Sequence, residues 1–136
     1  MREPFVVEQL RVVIIGGSKT AAQLIVDFMS RAFVDLVCVV DISPDSHGGQ
    51  AAQRFAVPFT TDIHELRLLD PQPDLIIDVC GKPHVNPALE ATFPSAEEGG
   101  PVVVHDIVAR MILSLAADSA TLVPSCWLPG EIADSL

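Results

Sequence analysis

The chain has 136 residues, of which 49% are hydrophobic and 19% charged, enough apolar material for one buried core and too much for a disordered chain. Eighteen acids against eight bases leave a formal charge of −10, which repels phosphate backbones and anionic headgroups and so argues against nucleic-acid and membrane partners. Aromatic residues make up only 5%, too few for a base-stacking platform.

Cys38, Cys80 and Cys126 are widely separated and do not form a CxxC pair, as in a reduced, cytoplasmic protein. Residues 1–4 lack the apolar stretch of a secretory leader, and no apolar run is long enough to span a bilayer.

Short β-branched runs alternate with helical patterns along the chain. Arg11 to Ile15 reads as a first strand that stops at Gly16-Gly17. From Thr20 to Phe33, Leu24, Ile25, Phe28, Met29 and Ala32 recur at helical spacing. Leu36 to Val40 is a second strand ending at Asp41, and Ala51, Ala52, Phe55 and Ala56 mark a shorter helix. Val57 to Thr60 reads as a third strand, its proline suggesting a sheet edge. Asp62 heads a short helix, with Glu65 placed as in a capping box.

Leu75 to Val79 is the fourth strand, and Asn86-Pro87 suits the cap and first position of a brief helix. Val102 to Val104 reads as a fifth strand. Ile107, Val108, Met111, Ile112, Leu115 and Ala116 then predict a helix with one apolar stripe, and Thr121 to Val123 a sixth strand.

Nearly continuous apolar strands separated by helices predict an α/β fold: a doubly wound, mostly parallel six-stranded sheet of order 3-2-1-4-5-6 in three αβα layers. The expected domain covers residues 1–125, with 126–136 as a tail or the start of a linker. Right-handed crossovers would bring the ends of strands one and four together at the switch point, where such folds bind ligands.

The chemistry-bearing residues gather there. Gly16, Ser18 and Ala21 occupy the three small-residue positions of a dinucleotide phosphate turn, with Ser and Ala in place of two glycines. Backbone N–H groups after Gly17 would face a phosphate from the helix N-terminus, and Lys19 and the hydroxyls of Ser18 and Thr20 could add to them. The same residues also suit a plain strand-to-helix turn. Lys19 does not follow a glycine directly, which removes a Walker A motif.

Asp41, with Ile42 beside it, ends the second strand where an acid binds the adenosine ribose. A carboxylate there accepts from a diol and repels a 2′-phosphate, favouring NAD over NADP. Cys80, Gly81 and Lys82 leave the fourth strand opposite the glycine turn and complete the candidate cofactor site. Cys80 also suits plain core packing, and His84 a solvated loop.

Histidines 47, 64, 84 and 105 lack zinc spacing, so no metal site is expected. His105-Asp106 could form an acid–base pair, although a helix start also accounts for Asp106. No catalytic residue is assigned.

These motifs, with Asp74 to Asp78 and Pro83-His84, resemble an NAD(P)-binding Rossmann domain, in particular the N-terminal half of the glucose-fructose oxidoreductase and inositol dehydrogenase superfamily. The resemblance runs from about Leu10 to Ser125 and implies dinucleotide binding. That family carries a catalytic lysine after strand five, where this chain reads Val103-Val104-His105-Asp106-Ile107, and it carries a second, substrate-binding domain. The expectation is therefore an NAD(H)-binding module serving as a sensor or regulatory domain, or as the cofactor half of an oxidoreductase. A coenzyme A-binding domain and a Rossmann-like interaction domain without ligand are the alternatives. The apolar tail, with Trp127, Leu128, Ile132 and Leu136, suggests a homodimer or a partner domain.

Overall fold

The computed structural model describes residues 8–123. In chain order the elements are β1 (Leu10–Ile15), α1 (Lys19–Met29), β2 (Val34–Val40), α2 (His47–Arg54), β3 (Phe59–Thr60), β4 (Leu75–Asp78), α3 (Val85–Thr92), β5 (Val102–His105) and α4 (Asp106–Ala116). Two 3-10 turns, Ile63–Leu68 and Ala96–Glu98, lie in the connections.

The strands form one parallel sheet of order β3-β2-β1-β4-β5. Alternation along β1 sends Val12 and Ile14 to one face and Val13 and Ile15 to the other, and all four are buried. Burial on both faces explains why this strand reads as an unbroken apolar run. The register between β1 and β2 slips after Val12, whose partner is Leu36 while that of Val13 is Cys38. Val37 is thus the extra residue of a bulge.

On one face Ala21, Leu24, Ile25 and Phe28 of α1 pack with Ala51 and Ala52 of α2 and Ala109 and Leu113 of α4. On the other, Val85 and Leu89 of α3 pack with Leu66 of the first 3-10 turn over Val13, Ile15 and Ile76. Helices therefore cover both faces, as the αβα expectation requires.

The expected sixth strand is absent among the described residues, and the sheet has five. Thr121 to Val123 instead runs against α4: the Val123 N–H donates to Ser114 Oγ at 2.9 Å, and its carbonyl accepts from Arg110 Nε at 2.9 Å. Chirality accounts for this. The chain moves from β1 to β2 toward one edge with α1 on its face. A strand beyond β5 would lie toward the opposite edge, yet α4 packs on the same face as α1. Those two crossovers would have opposite hands, which parallel sheets avoid.

The helix expected at 107–116 forms, but only part of its apolar stripe faces the core: Ile112 packs against it and Val108 is half-buried. Ile107, Met111 and Leu115 are exposed, and the inner face is Ala109, Leu113 and Ser114. Small Ala109 and Ser114 let α4 sit close to the sheet. The first helix ends at Met29, short of Phe33. Asn86 is no cap, because α3 begins at Val85 after His84. Glu65 forms no capping box: its carboxylate accepts from Thr60 Oγ1 at 2.5 Å, and Thr60 Oγ1 accepts from the Asp62 N–H at 3.1 Å. The tail at 126–136 lies outside the described residues.

Candidate functional site

Hydrogen bonding continues past the strand ends and sets the loops that follow them. The Gly16 N–H donates to Val40 O at 2.7 Å, and the Val79 N–H donates to Ile15 O at 2.9 Å. The turn after β1 is thereby tied to β2 on one side and β4 on the other. Gly16 has φ +129°, and a Cβ there would lie 3.0 Å from Val79 Cγ2 and 3.1 Å from the Cys80 nitrogen. Only glycine suits both that conformation and that approach. The connections after β1 and β4 thus meet at the switch point.

Ser18 caps α1, its Oγ accepting from the Ala21 N–H at 3.4 Å. Lys19 begins the helix and is exposed, while Thr20 is buried and so the least accessible of the residues expected to meet a phosphate. The N-terminus of α2 also reaches this turn. The Gly48 N–H donates to Gly17 O at 3.0 Å, and a Cβ on Gly48 would lie 2.9 Å from Gly16 O. Ser46 caps α2, with its Oγ accepting from the Gly49 N–H at 3.0 Å. The Ser46 and Gly48 contacts were missed from sequence, although a glycine pair just after a serine at a helix start carried the signal.

Asp41 is partly buried, and its backbone N–H donates to Thr60 O at 3.2 Å, which holds the end of β2 against β3. Its carboxylate lies over Gly17: a Cβ at Gly17 would stand 2.5 Å from Asp41 Cγ and would also overlap the Ser46 hydroxyl. The acid after β2 and the glycine turn after β1, separate in sequence, are therefore in contact. Ile42 beside them is 80% exposed, an apolar wall on the open side.

Across the crevice, Asp78 is 5% exposed, and its Oδ1 accepts from the Cys80 N–H at 3.0 Å. The Cys80 thiol is pushed up to about 12, first by burial and then by its hydrogen bond to Asp78, so it remains protonated and is no nucleophile at neutral pH. Its part in the site is its backbone, which lies against Gly16. Gly81 takes φ +68° and is exposed, as are Lys82 and His84. His105 Nδ1 lies 3.3 Å from Asp78 Oδ2, while Asp106 Oδ2 lies 4.0 Å from Arg110 Nη1 one turn along α4. In a parallel pair the residues opposite each other at the strand ends meet, which chain proximity alone does not reveal.

Among the described residues no group of three His, Cys, Asp or Glu side chains could hold a metal, and no helix is long and apolar enough to cross a membrane.

No protein-family model matches the chain, and no curated protein matches it. Solved structures do. GenD2 from gentamicin A biosynthesis, in complex with NAD, is 22% identical over 87% of this chain and 34% of its own, with a TM-score of 0.59. The WlbA dehydrogenase from Chromobacterium violaceum, in complex with NADH and UDP-GlcNAcA, is 18% identical over 87% of this chain and 34% of its own, with a TM-score of 0.54. A myo-inositol dehydrogenase from Corynebacterium glutamicum is 19% identical over 81% and 33%, with a TM-score of 0.52.

The chain is a Rossmann-type domain. It spans about a third of the length of these neighbours. The Rossmann crevice assembles Gly16, Gly17, Ser18, Asp41 and the Cys80–Gly81 backbone at one end of the sheet. Lys19, Ile42 and Lys82 stand at its rim as exposed side chains.

Proposed function

We propose that this Rossmann domain binds NAD(H) across the crevice and serves as the cofactor half of an oxidoreductase completed by a further domain or chain. The observation that carries the proposal is the Asp41 carboxylate lying over Gly17, beside the capped start of α1. In that position a carboxylate accepts hydrogen bonds from a ribose diol, while the first-turn N–H groups face the pyrophosphate. Exposed Ile42 would flank the adenine, and Gly81 and Lys82 the second half of the cofactor.

The residues fit a dinucleotide lacking a 2′-phosphate, because the carboxylate would repel that group. Neighbours crystallised with NAD, NADH and NADP support a nicotinamide dinucleotide, and the choice against the 2′-phosphate rests on the Asp41 carboxylate. When bound, NAD would supply hydride acceptance; the chain's own part is to bind and orient it.

A second reading, a sensor or regulatory module without turnover, draws on His105 and Asp106 standing where the resemblance to the glucose-fructose oxidoreductase and inositol dehydrogenase superfamily implies a lysine. The test is a melting-temperature panel with NAD, NADH, NADP and coenzyme A, since a ligand of the folded state raises the midpoint. NAD and NADH should raise it and NADP should not. A rise with coenzyme A alone would replace this function by coenzyme A binding, and no rise with any of them would leave an interaction domain.

A further inference from the structure

A second pair of reactive side chains meets at the same end of the sheet. Asp78 closes β4, His105 closes β5, and the two face each other directly in the parallel register. One Asp78 oxygen is engaged with the Cys80 N–H, and the other faces His105 Nδ1 at 3.3 Å. Of the two neutral tautomers of the imidazole, a carboxylate so placed selects the one with its proton on Nδ1, leaving Nε2 with its lone pair.

His105 is half exposed and forms part of the wall of a cleft of about 670 Å³, with Asn86, Glu90 and Phe93 across from Val103. That volume suits a small molecule. In a doubly wound sheet the adenosine half of a dinucleotide lies over the strands on the β1–β2 side and the other half over β4 and β5. His105 therefore stands between the nicotinamide end and the cleft.

We propose that His105, oriented by Asp78, is the proton-exchanging group at the nicotinamide end of the crevice, taking the proton of a small alcohol as that alcohol is oxidised. This rests on the NAD(H) reading above. The carbinol C–H bond breaks and its hydride passes to NAD⁺. The O–H bond breaks, its proton goes to His105 Nε2, and the C=O bond forms. The products are a carbonyl compound, NADH and an imidazolium balanced by Asp78, and carbonyl reduction returns the same proton.

The pair also has a consequence without any alcohol. An imidazolium opposes the positive nicotinamide ring of NAD⁺ but not the uncharged dihydronicotinamide ring of NADH, so NAD⁺ binding should expel a proton. Among the described residues, Glu90 on α3 and Glu98 on the second 3-10 turn share the wall of the cleft with His105, and the Asp106–Arg110 pair follows it on α4. His84 is a second imidazole, in the loop that leaves β4.

The experiment is calorimetry of the chain with NAD⁺ and with NADH, in buffers of different ionisation enthalpy, between pH 5.5 and 8. NAD⁺ should release protons, and the preference for NADH should grow roughly three- to tenfold toward low pH. His105→Gln should abolish both effects and His84→Gln neither. Nitrogen-15 spectra of the free protein should show Nε2 as the bare nitrogen of neutral His105, and Asp78→Ala should return the proton to Nε2. Binding with the same pH dependence in His105→Gln, or an Nε2–H tautomer in the unmodified chain, would overturn this assignment alone. No binding of either nucleotide would overturn the NAD(H) reading and this assignment with it.

Discussion

Replacing Gly17 by alanine tests the geometry on which the proposed NAD binding depends. The new Cβ would fall 2.5 Å from Asp41 Cγ and on the Ser46 hydroxyl. Both are side chains, so the backbone need not move, but both must rotate away. Losing the Ser46 cap on Gly49 costs about 1 kcal/mol of stability. Moving the Asp41 carboxylate off its proposed ribose position should remove charged hydrogen bonds worth about 1–3 kcal/mol, which is roughly 5- to 150-fold in NAD affinity.

Asp41→Ala should cost binding by the same amount while leaving the Ser46 cap alone. Since both substitutions act through one carboxylate, the double variant should bind NAD no worse than Asp41→Ala, whereas the stability loss from Gly17→Ala should persist in it. Calorimetric titration of the four proteins gives the binding cycle, and urea unfolding gives the stabilities. Wild-type affinity in Gly17→Ala, or additive binding losses in the double variant, would refute the placement of Asp41.

Gly16→Ala should be more damaging than Gly17→Ala, because φ +129° is strained for any side chain and the Cβ meets the Cys80 backbone nitrogen at 3.1 Å; a loss of about 2–3 kcal/mol should appear in the urea midpoint. On α4, Leu113→Ala should cost about 2–5 kcal/mol and Leu115→Glu no more than about 0.5 kcal/mol, since only Leu113 is buried; equal losses by thermal melting would return the apolar stripe to the core. Alkaline pH should destabilise the fold. The Cys38 and Cys80 thiols are raised from 9.0 to about 11 and about 12, chiefly by burial. Their contribution is complete below pH 9 and is lost as pH rises through the folded values, with a slope of at most about 1.4 kcal/mol per pH unit for each thiol. Denaturant midpoints from pH 8 to 11 should fall, and Cys38→Ala with Cys80→Ala should flatten the fall.

The elements themselves were legible because their signals are local. Val12 to Ile15, Leu36 to Val40 and Leu75 to Ile77 are apolar on successive residues, as strands buried on both faces must be, and the glycines at 16 and 17 mark the turn after the first of them. Asp41 was legible for a related reason: in an alternating α/β chain, the end of the second strand lies beside the end of the first. Where the sequence misleads, two elements compete for the same pattern. The stripe Ile107–Met111–Leu115 has helical spacing, yet Ala109 and Ser114 permit the closer approach to the sheet, and close packing wins over the larger but looser face.

Periodicity alone predicts a helix at 107–116 and says nothing about which face of the sheet that helix takes. With α4 on the α1 side, crossover handedness disfavours a parallel strand beyond β5 at Thr121 to Val123, and Val123 instead donates its N–H to Ser114 Oγ and accepts at its carbonyl from Arg110 Nε. The Asp78–His105 pair has the same origin. The two residues are 27 positions apart, and only the parallel register of β4 and β5 brings them within 3.3 Å. Local sequence thus determined the elements, the glycine turn and the acid after β2. Tertiary packing decided the strand count, the buried side of α4 and the partner of His105, because each depends on which distant surfaces meet.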